Sequence, residues 1–406
     1  MSRTSSARTT AVVPNYSQLM RAAEAMVPLV EAEAAEAERL THMTDKVVAE
    51  FRRAGLNCML TPKELGGAQL PYSDAMRIVE KIAHADGSTG WCLMVECVMG
   101  GSMGSMLPQE GAQAVFGKGA DIIAAGNGVP RGFAREVDGG YMFKGNWSYG
   151  SGIHHAEWIH SGCFVMDGDK MRMLEDGAPD IVLMHHPRDT ITLKGNWDTL
   201  GLRGTGSYDY TLTDGEIFIP RHMTYKFNGD TPRRGGIQYS AGLVTITTWG
   251  HTSWALGIGR RTLDELAKMS HGRVDAFGKM TDSAAFKQKF AEAEAKYRAA
   301  RAFVYDAWGA VDEAYANGRE ASVQELACIR MAMKHLHNVI SENATFAHIA
   351  SRGVSLRPGL LQRCYRDVHG GTQHILLADE IFQECGRVML GAIGKDARWT
   401  MFGVHG

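Results

Sequence analysis

Apolar positions follow a helical repeat at both ends of the chain and a shorter alternation in its middle. Between about 16 and 54, positions such as Met43, Val47 and Phe51 recur at helical spacing, and a further helix is predicted from an N-cap at Ser73. From about 121 to 225, short β-rich runs alternate with Gly, Asp and Asn turns. The first third of the chain is therefore predicted to be helical, and the part that follows to be a sheet.

Long helical patterns return after a Gly-rich connection. They cover about 245–270, 283–317, 322–351 and 361 to the end, lengths that suit an antiparallel bundle. The order of helices, strands and helices differs from the alternating order of a dinucleotide-binding sheet, so a Rossmann fold is disfavoured. We expect an α+β, mainly α, protein with a helical domain over 1–120, a β-domain over 121–235 and a helical domain over 236–406.

The helical segment that opens with Asp86-Gly87-Ser88-Thr89-Gly90-Trp91 is almost uncharged as far as Met106. Methionines recur along it among small residues, at positions 94, 99, 103 and 106. Such a helix is expected to be buried; core packing is the ordinary explanation, and the wall of a pocket is the alternative. The stretch from 86 to 116 contains no histidine.

Composition limits the function classes. The 406 residues are 45% apolar, and 43 basic residues face 45 acidic ones without a basic run, so neither nucleic acid nor a membrane surface is an expected partner. No apolar stretch is long enough to span a bilayer, and Met1–Ser6 lacks a signal core, so we expect a cytoplasmic protein. Seven scattered cysteines without a Cys-x-x-Cys pair argue against a disulfide framework and a zinc site.

The familiar motifs of several enzyme classes are missing. Gly-x-Gly-x-x-Gly, the Walker phosphate loop and the hydrolase signatures do not occur. Histidine pairs stand at 154/155 and 185/186, but no carboxylate lies at metal-ligand helical spacing, so no metal is expected. Chemistry is instead expected near 366–387, where two glycines, a threonine and two histidines interrupt a helical run in the manner of a bend or a ligand contact.

Four phrases in order resemble the recurring segments of the acyl-CoA dehydrogenase fold. The clearest is Trp147, a Ser-Gly turn and Ala156, which resembles that fold's flavin-contacting loop. The other three are Pro62-x-Glu64-x-Gly66-Gly67, Leu200-Gly201-Leu202-Arg203-Gly204-Thr205-Gly206-Ser207 and Arg366-Asp367. The resemblance implies an N-terminal helical domain, a middle β-barrel domain and a C-terminal four-helix bundle, usually assembled as a homotetramer.

Within that fold, dehydrogenases often carry a carboxylate base shortly after Arg-Asp, because removal of the α-proton of an acyl thioester needs one. This chain has His374-Ile375 there. Arg-Asp followed by a histidine, with the 86–91 phrase and Ser151-Gly152-x-x-His155-Ala156-x-Trp158, resembles the flavin-dependent monooxygenases of the fold. These are the oxygenase components of two-component systems.

The resemblance implies a reduced-flavin-dependent monooxygenase. Such enzymes take reduced FMN or FAD from a separate NAD(P)H-flavin reductase and use O2, through a flavin C4a-hydroperoxide, to insert one oxygen atom into a small apolar or aromatic substrate. The alternatives are an acyl-CoA dehydrogenase-like flavoprotein that oxidises a CH-CH bond and a scaffold of the same fold without flavin.

The resemblance also implies site residues. His374 would manage the proton of the peroxide, and the Ser151 hydroxyl would stand near flavin N5 and keep water from expelling peroxide early. Cofactor contacts are expected from Trp147, Ser151, Gly152, Arg273 and His374, and a substrate pocket from Trp91, Met94, Cys97 and Met99. Aromatic hydroxylases of this type often have a histidine on the segment that corresponds to 86–116, placed to deprotonate a phenol. This chain has no histidine there, so either another residue is the substrate base or the substrate needs none.

Overall fold

The computed structural model describes residues 14–227, 229–276, 278–400 and 403–405. Helices form the first part: α1 (Tyr16–Leu40), α2 (Asp45–Ala54), α3 (Tyr72–Ala85), α4 (Gly87–Met106) and α5 (Gln109–Phe116). The single helical region expected up to 54 is two helices, because the chain turns at Thr41 with a left-handed backbone. Ser73 lies inside α3 and donates its backbone N–H to Asp312, so Pro71, rather than Ser73, is the N-cap.

Eight strands form the middle sheet. They are β1 (Ala124–Val137), β2 (Gly140–Gly150), β3 (Trp158–Asp167), β4 (Lys170–Met171), β5 (Ile181–Pro187), β6 (Ile191–Leu193), β7 (Tyr208–Pro220) and β8 (Thr224–Lys226). The hydrogen-bonded order is β6-β7-β2-β1-β3-β5-β8, with β4 beside β3. β1 runs parallel to β3 and antiparallel to β2. Turns with glycine at positive φ, such as Gly139 between β1 and β2, close the tight connections.

Long helices follow the sheet. They are α6 (Gly242–His271), α7 (Ala284–Ala316) and α8 (Val323–Ser351), then the shorter α9 (Leu360–Gly371) and α10 (Asp379–Met389). Ser322 caps α8 in a reciprocal box with Glu325. The helical pattern predicted from 361 to the end holds in α9 and α10, which are separated after Gly371, but not at the end of the chain, where two short strands, β11 (Arg398–Thr400) and β12 (Gly403–His405), form a hairpin. Two further short strands, β9 (Val274–Asp275) and β10 (Gly278–Lys279), connect α6 to α7.

Helix α4 is the most deeply buried element of the amino-terminal part. Asp86 caps it by accepting the Thr89 N–H, and every residue of the helix except Val95 is buried. Its small residues let neighbouring backbone approach closely, because a Cβ at Gly104 would lie 2.6 Å from Pro62. The apolar character of this segment therefore reflects packing on nearly all sides.

The amino-terminal segment, where we expected no signal core, lies outside the described residues. Among the helices that the structure describes, none combines the length and the apolar composition that crossing a membrane requires.

Glu96 supplies a pH-dependent term to the stability of this fold. Both carboxyl oxygens are buried without a hydrogen-bond partner among the described residues, and burial raises the pKa of Glu96 to about 8. The folded state therefore holds this proton more tightly than the unfolded state, so the stabilisation is complete below about pH 4.5 and declines as the pH rises to about 8, by at most about 1.4 kcal/mol per pH unit.

We predict that Glu96→Gln flattens this decline, because the amide cannot ionise. The measurement is the midpoint of thermal unfolding from pH 5 to pH 8.5, with Glu216→Gln, an exposed carboxylate on β7, as the matched control. The parent and the control should lose stability relative to Glu96→Gln as the pH rises. Parallel curves for all three proteins would contradict the assignment.

Candidate active site

A cavity of about 540 Å³ lies where the three parts of the chain meet. Its wall is formed by α4, by β1 and the end of β2, by the segment before β7, by the first turns of α6 and by the chain after α9. The lining side chains are mainly apolar, among them Trp91, Met94, Val95, Val98, Met99, Phe227, Leu243 and Val244. The volume is within the usual range for small-molecule sites, so a flat organic ligand can be enclosed here.

One wall carries a directed chain of hydroxyl groups. Thr205 Oγ1 donates to the Leu202 carbonyl at 2.8 Å, and Ser207 Oγ lies 2.6 Å from both Thr205 Oγ1 and Ser151 Oγ. Because a carbonyl can only accept, Ser207 must donate to Thr205, and Ser151 must donate to Ser207. Ser151 Oγ then faces the cavity as an acceptor.

Trp91 links this wall to the opposite one. Its indole N–H donates to Ser151 Oγ at 3.0 Å, and its ring meets the His251 ring edge to face at 4.8 Å. Ser151 itself stands at a tight turn after β2, where Tyr149 has a φ of 66° and the Gly152 N–H donates to the Thr205 carbonyl. The positions of Ser151 and Trp91 are therefore fixed by contacts within the protein.

Two histidines in contact form the second polar wall. The ring centroids of His374 and His251 are 3.8 Å apart. His374 Nδ1 accepts the Leu376 N–H at 3.3 Å, which leaves the proton of the neutral ring on Nε2. Burial lowers the pKa of His374 to about 4 and holds the pKa of His251 well below its ordinary value, so both rings are neutral near pH 7.

The end of α9 determines where His374 lies. Gly371 is required there, because a Cβ would lie 2.2 Å from the Trp254 ring. The helix ends at that glycine, and the chain turns so that His374 caps the short helical turn Ile375–Leu377 with extended backbone angles. The glycines and histidines that interrupt the helical pattern thus correspond to a bend beside the cavity.

The cavity brings together five of the nine residues predicted for the site. Trp91, Met94, Met99, Ser151 and His374 all line it. The remaining four, Trp147, Gly152, Cys97 and Arg273, do not.

Two of the four residues outside the cavity belong to the sheet domain. Trp147 is buried inside it, stacked on Tyr210 at 5.4 Å with its indole N–H on the Gly162 carbonyl. Gly152 lies one residue beyond Ser151 and supports the turn through its backbone bond to Thr205.

Cys97 and Arg273 point elsewhere for different reasons. Cys97 is on the other face of α4, where its thiol donates to the Leu56 carbonyl at 3.3 Å. Arg273 follows α6 at its far end and donates to the Ser351 carbonyl. Neither residue contacts the cavity within one chain.

The histidine pairs seen in the sequence have other surroundings. His185 and His186 are buried in the sheet and bonded to His160 and Ser161. His154 and His155 meet His42, with candidate ligand nitrogens within 4.8 Å of one another. The rings of His42 and His154 stack in parallel at 3.7 Å, so their lone pairs do not converge on one point and the cluster is not preorganised for a metal.

Comparisons with known proteins agree with the fold. The acyl-CoA dehydrogenase N-terminal domain matches residues 18–112, and the acyl-CoA dehydrogenase C-terminal domain matches residues 249–379. The crystal structure of a 3-HSA hydroxylase from Rhodococcus sp. RHA1 superposes with a TM-score of 0.84 at 25% identity, covering 93% of this chain and 98% of that one.

Relatives of this chain are monooxygenases. Indole-3-acetate monooxygenase of Pseudomonas putida is 29% identical over 365 residues, 88% of this chain and 89% of the relative. The oxygenase subunit HsaA of a flavin-dependent monooxygenase from Rhodococcus jostii is 30% identical over 233 residues, 57% of this chain and 58% of the relative.

These comparisons identify both the fold of the protein and its class of enzyme. The protein has the acyl-CoA dehydrogenase fold, with an N-terminal helical domain, a middle sheet domain and C-terminal helices. It is a flavin-dependent monooxygenase of that fold, an oxidoreductase that acts with reduced flavin.

Several polar residues of the cavity were not predicted from the sequence, among them His251, Ser207 and Arg131. His251 and Ser207 carry no motif of their own, and Arg131 lies in a strand whose pairing is irregular at that point. The available signal was weak: Ser207 ends the quoted 200–207 phrase, and His251 is a lone histidine in an apolar helix, which is more often a core residue.

Met99 tests whether the α4 face is the substrate wall. We predict that Met99→Trp blocks product formation, because the larger ring occupies cavity volume, while reduced-flavin binding persists. Cys97→Ser, on the other face of the helix, is the control and should retain product formation. Product yield and flavin affinity are measured on variants with matched thermal stability. Equal yields from Met99→Trp and the parent would remove Met99 from the substrate wall.

Proposed function

We propose that this protein is the oxygenase component of a two-component monooxygenase for small aromatic substrates, supplied with reduced FMN or FAD by a separate reductase. The cavity carries the proposal: among the described residues that line it, none is Asp or Glu, whereas two neutral histidines and an accepting serine are present. An acyl-CoA dehydrogenase needs a carboxylate base near the substrate. Ile375 occupies the position considered for it, which disfavours the dehydrogenase alternative.

The residues present suit a reduced flavin. Gly126, Gly128 and Gly370 leave backbone without side chains along the cavity, and a Cβ at Gly128 would lie 2.9 Å from His160 and 3.1 Å from Leu243. Ser151 Oγ, which donates to Ser207, can accept the N5–H that reduced flavin carries and oxidised flavin lacks. When bound, reduced flavin supplies the two electrons with which one atom of O2 is inserted and the other leaves as water.

His374 is proposed as the proton donor. Its Nε2 carries the hydrogen because Nδ1 accepts from Leu376, and burial keeps the ring neutral over the physiological range. A positioned N–H in a dry cavity can donate a hydrogen bond to oxygen, and a proton that the ring takes up during the reaction replaces the one that it transfers, so no imidazolate is left.

His251 is proposed as the group that takes the substrate proton. The 86–116 segment provides no histidine, but α6 brings His251 into the same wall, where its ring contacts that of His374. A neutral imidazole that lines the cavity can accept a hydrogen bond from an indole N–H, or take the proton of a phenol as oxygen is transferred.

We also propose that the protein is a homotetramer and that it is cytoplasmic. A homotetramer is supported by large apolar side chains left exposed near the end of α8 and on α10, including Ile349, Leu356, Phe382 and Leu390. Arg273 reaches no cavity within one chain, so its predicted contact with the cofactor would require a second copy. We propose a cytoplasmic location, in keeping with a reductase partner that uses NAD(P)H.

His374→Ala and Ser151→Ala should fail in different ways. We predict that His374→Ala binds reduced flavin but reacts with O2 about 100-fold more slowly or worse, because the Nε2 proton is gone. Ser151→Ala should react with O2 at the parental rate, release hydrogen peroxide sooner and hold reduced flavin less selectively. Rapid mixing of the reduced complexes with O2, with peroxide assayed in parallel, measures both. If both variants keep parental rates, the assignment of these two residues is wrong.

His251→Asn should uncouple the reaction. We predict about 100-fold less product per reduced flavin with indole-3-acetate, the compound named for the Pseudomonas putida relative, while flavin oxidation without substrate keeps its parental rate. The yield of hydrogen peroxide should rise correspondingly. His337→Asn, at a buried histidine of α8 that does not line the cavity, is the control. Loss of oxidation rate without substrate would instead place His251 with His374 in proton donation.

A further inference from the structure

Arg131 is the one residue with a permanent charge among the described residues that line the cavity. Among the described residues that line it, the other polar groups are hydroxyls, amides and the two neutral histidines, and no carboxylate is present. A site with one guanidinium and no acidic group attracts anions and repels cations, and its apolar walls strengthen that preference.

The strand that carries Arg131 is irregular at this point. β1 pairs with β3 up to Asn127 and again from Gly132, and its pairing with β2 begins only at Gly132. Residues 128–131 therefore form a bulge, a device that redirects side chains beside active sites. Arg131 lines the cavity from this bulge.

The bulge is held in place by its own contacts. The Asn127 amide donates to the Ser148 carbonyl at 2.7 Å and its oxygen accepts the Val129 N–H at 2.9 Å. Pro130 restricts the backbone just before Arg131, and Gly132 follows where a Cβ would lie 2.4 Å from the Trp147 ring. The base of the Arg131 side chain is thus fixed, although its head is exposed.

No described residue neutralises this guanidinium. Arg131 forms neither an ion pair nor a hydrogen bond with the residues that the structure describes, unlike Arg172 and Arg221, which share Glu136 farther along the same sheet. An unpaired guanidinium at a ligand cavity presents the planar donor fork that carboxylates and phosphates match.

We propose that Arg131 is the anion anchor of the cavity, which binds the carboxylate of an acidic aromatic substrate or the phosphate of the flavin. The proposal extends the proposed function, because it names the charged group that the ligand must carry. The carboxylate and the phosphate are alike in that each is an oxyanion that can accept hydrogen bonds from two N–H groups of one guanidinium.

The test compares ligand pairs that differ only in the anion. Reduced FMN is compared with reduced riboflavin, and indole-3-acetate with indole-3-acetamide, by equilibrium binding without O2. The variants are Arg131→Gln and Arg131→Lys, with Arg135→Gln as the matched control, an exposed arginine of the same strand that does not line the cavity. Binding is read without turnover, so a failure of the monooxygenase assignment would leave this test intact.

We expect Arg131→Gln to weaken the anionic member of one pair about 10-fold and leave the neutral member unchanged, in line with one charge-assisted hydrogen bond at a partly exposed site. Arg131→Lys should recover part of the loss, and Arg135→Gln should show none. A selective loss for FMN identifies the phosphate, and a selective loss for indole-3-acetate identifies the substrate carboxylate. If Arg131→Gln changes neither ratio, or Arg135→Gln changes it equally, the proposal is overturned.

Discussion

The buried carboxyl group of Asp367 joins the three parts of the molecule. One oxygen accepts the Leu202 N–H at 2.6 Å, and the other lies against Gly87 at the start of α4, where a Cβ would be 3.0 Å away. Burial raises the pKa of Asp367 to about 7, with the nearby Asp86 contributing in the same direction. A single short side chain thus links α9, the loop before β7 and the first turn of α4.

Ion pairs surround this carboxyl group and reinforce the junction. Arg366 meets Glu38 of α1 at 2.5 Å and donates to the Leu200 carbonyl at 3.1 Å, while Arg363 lies 3.5 Å from Asp86. Of the elements that meet here, α4, α9 and the loop before β7 each carry a residue of the cavity within a few positions. The spacing between the walls therefore depends on a contact that lies outside the cavity.

This dependence explains which parts of the site could be predicted from sequence. His374 and Ser151 follow phrases whose order and spacing resemble a known fold, so their positions could be read off. Cys97 could not be told from Met94 and Met99, because α4 is buried on nearly every side and its apolar pattern has no polar face to mark the cavity. His251 comes from α6 and meets His374 only through tertiary packing.

The three-part fold could also be predicted from the sequence. The change from helical to strand-like periodicity and back predicted the three parts, because each part buries one repeating face. The bend after α9 was expected from its glycines and histidines, but the need for glycine at 371 was not, since it depends on Trp254, more than a hundred residues earlier, lying where a side chain at 371 would have to be.

The site differs from that of a dehydrogenase because none of the described residues that line the cavity is acidic. A carboxylate near the substrate would serve as the base that deprotonates an acyl thioester. It would also pair with a neighbouring imidazole and raise the pKa of that imidazole. Here the two histidines lie against each other and the Trp91 ring, and burial, together with the nearby His337, keeps both uncharged. A neutral ring with its hydrogen fixed on Nε2 by the Leu376 N–H can donate a hydrogen bond to oxygen within a closed cavity. We propose that the lack of an acidic group among the described residues of the cavity is what lets a histidine pair serve oxygen chemistry on this fold.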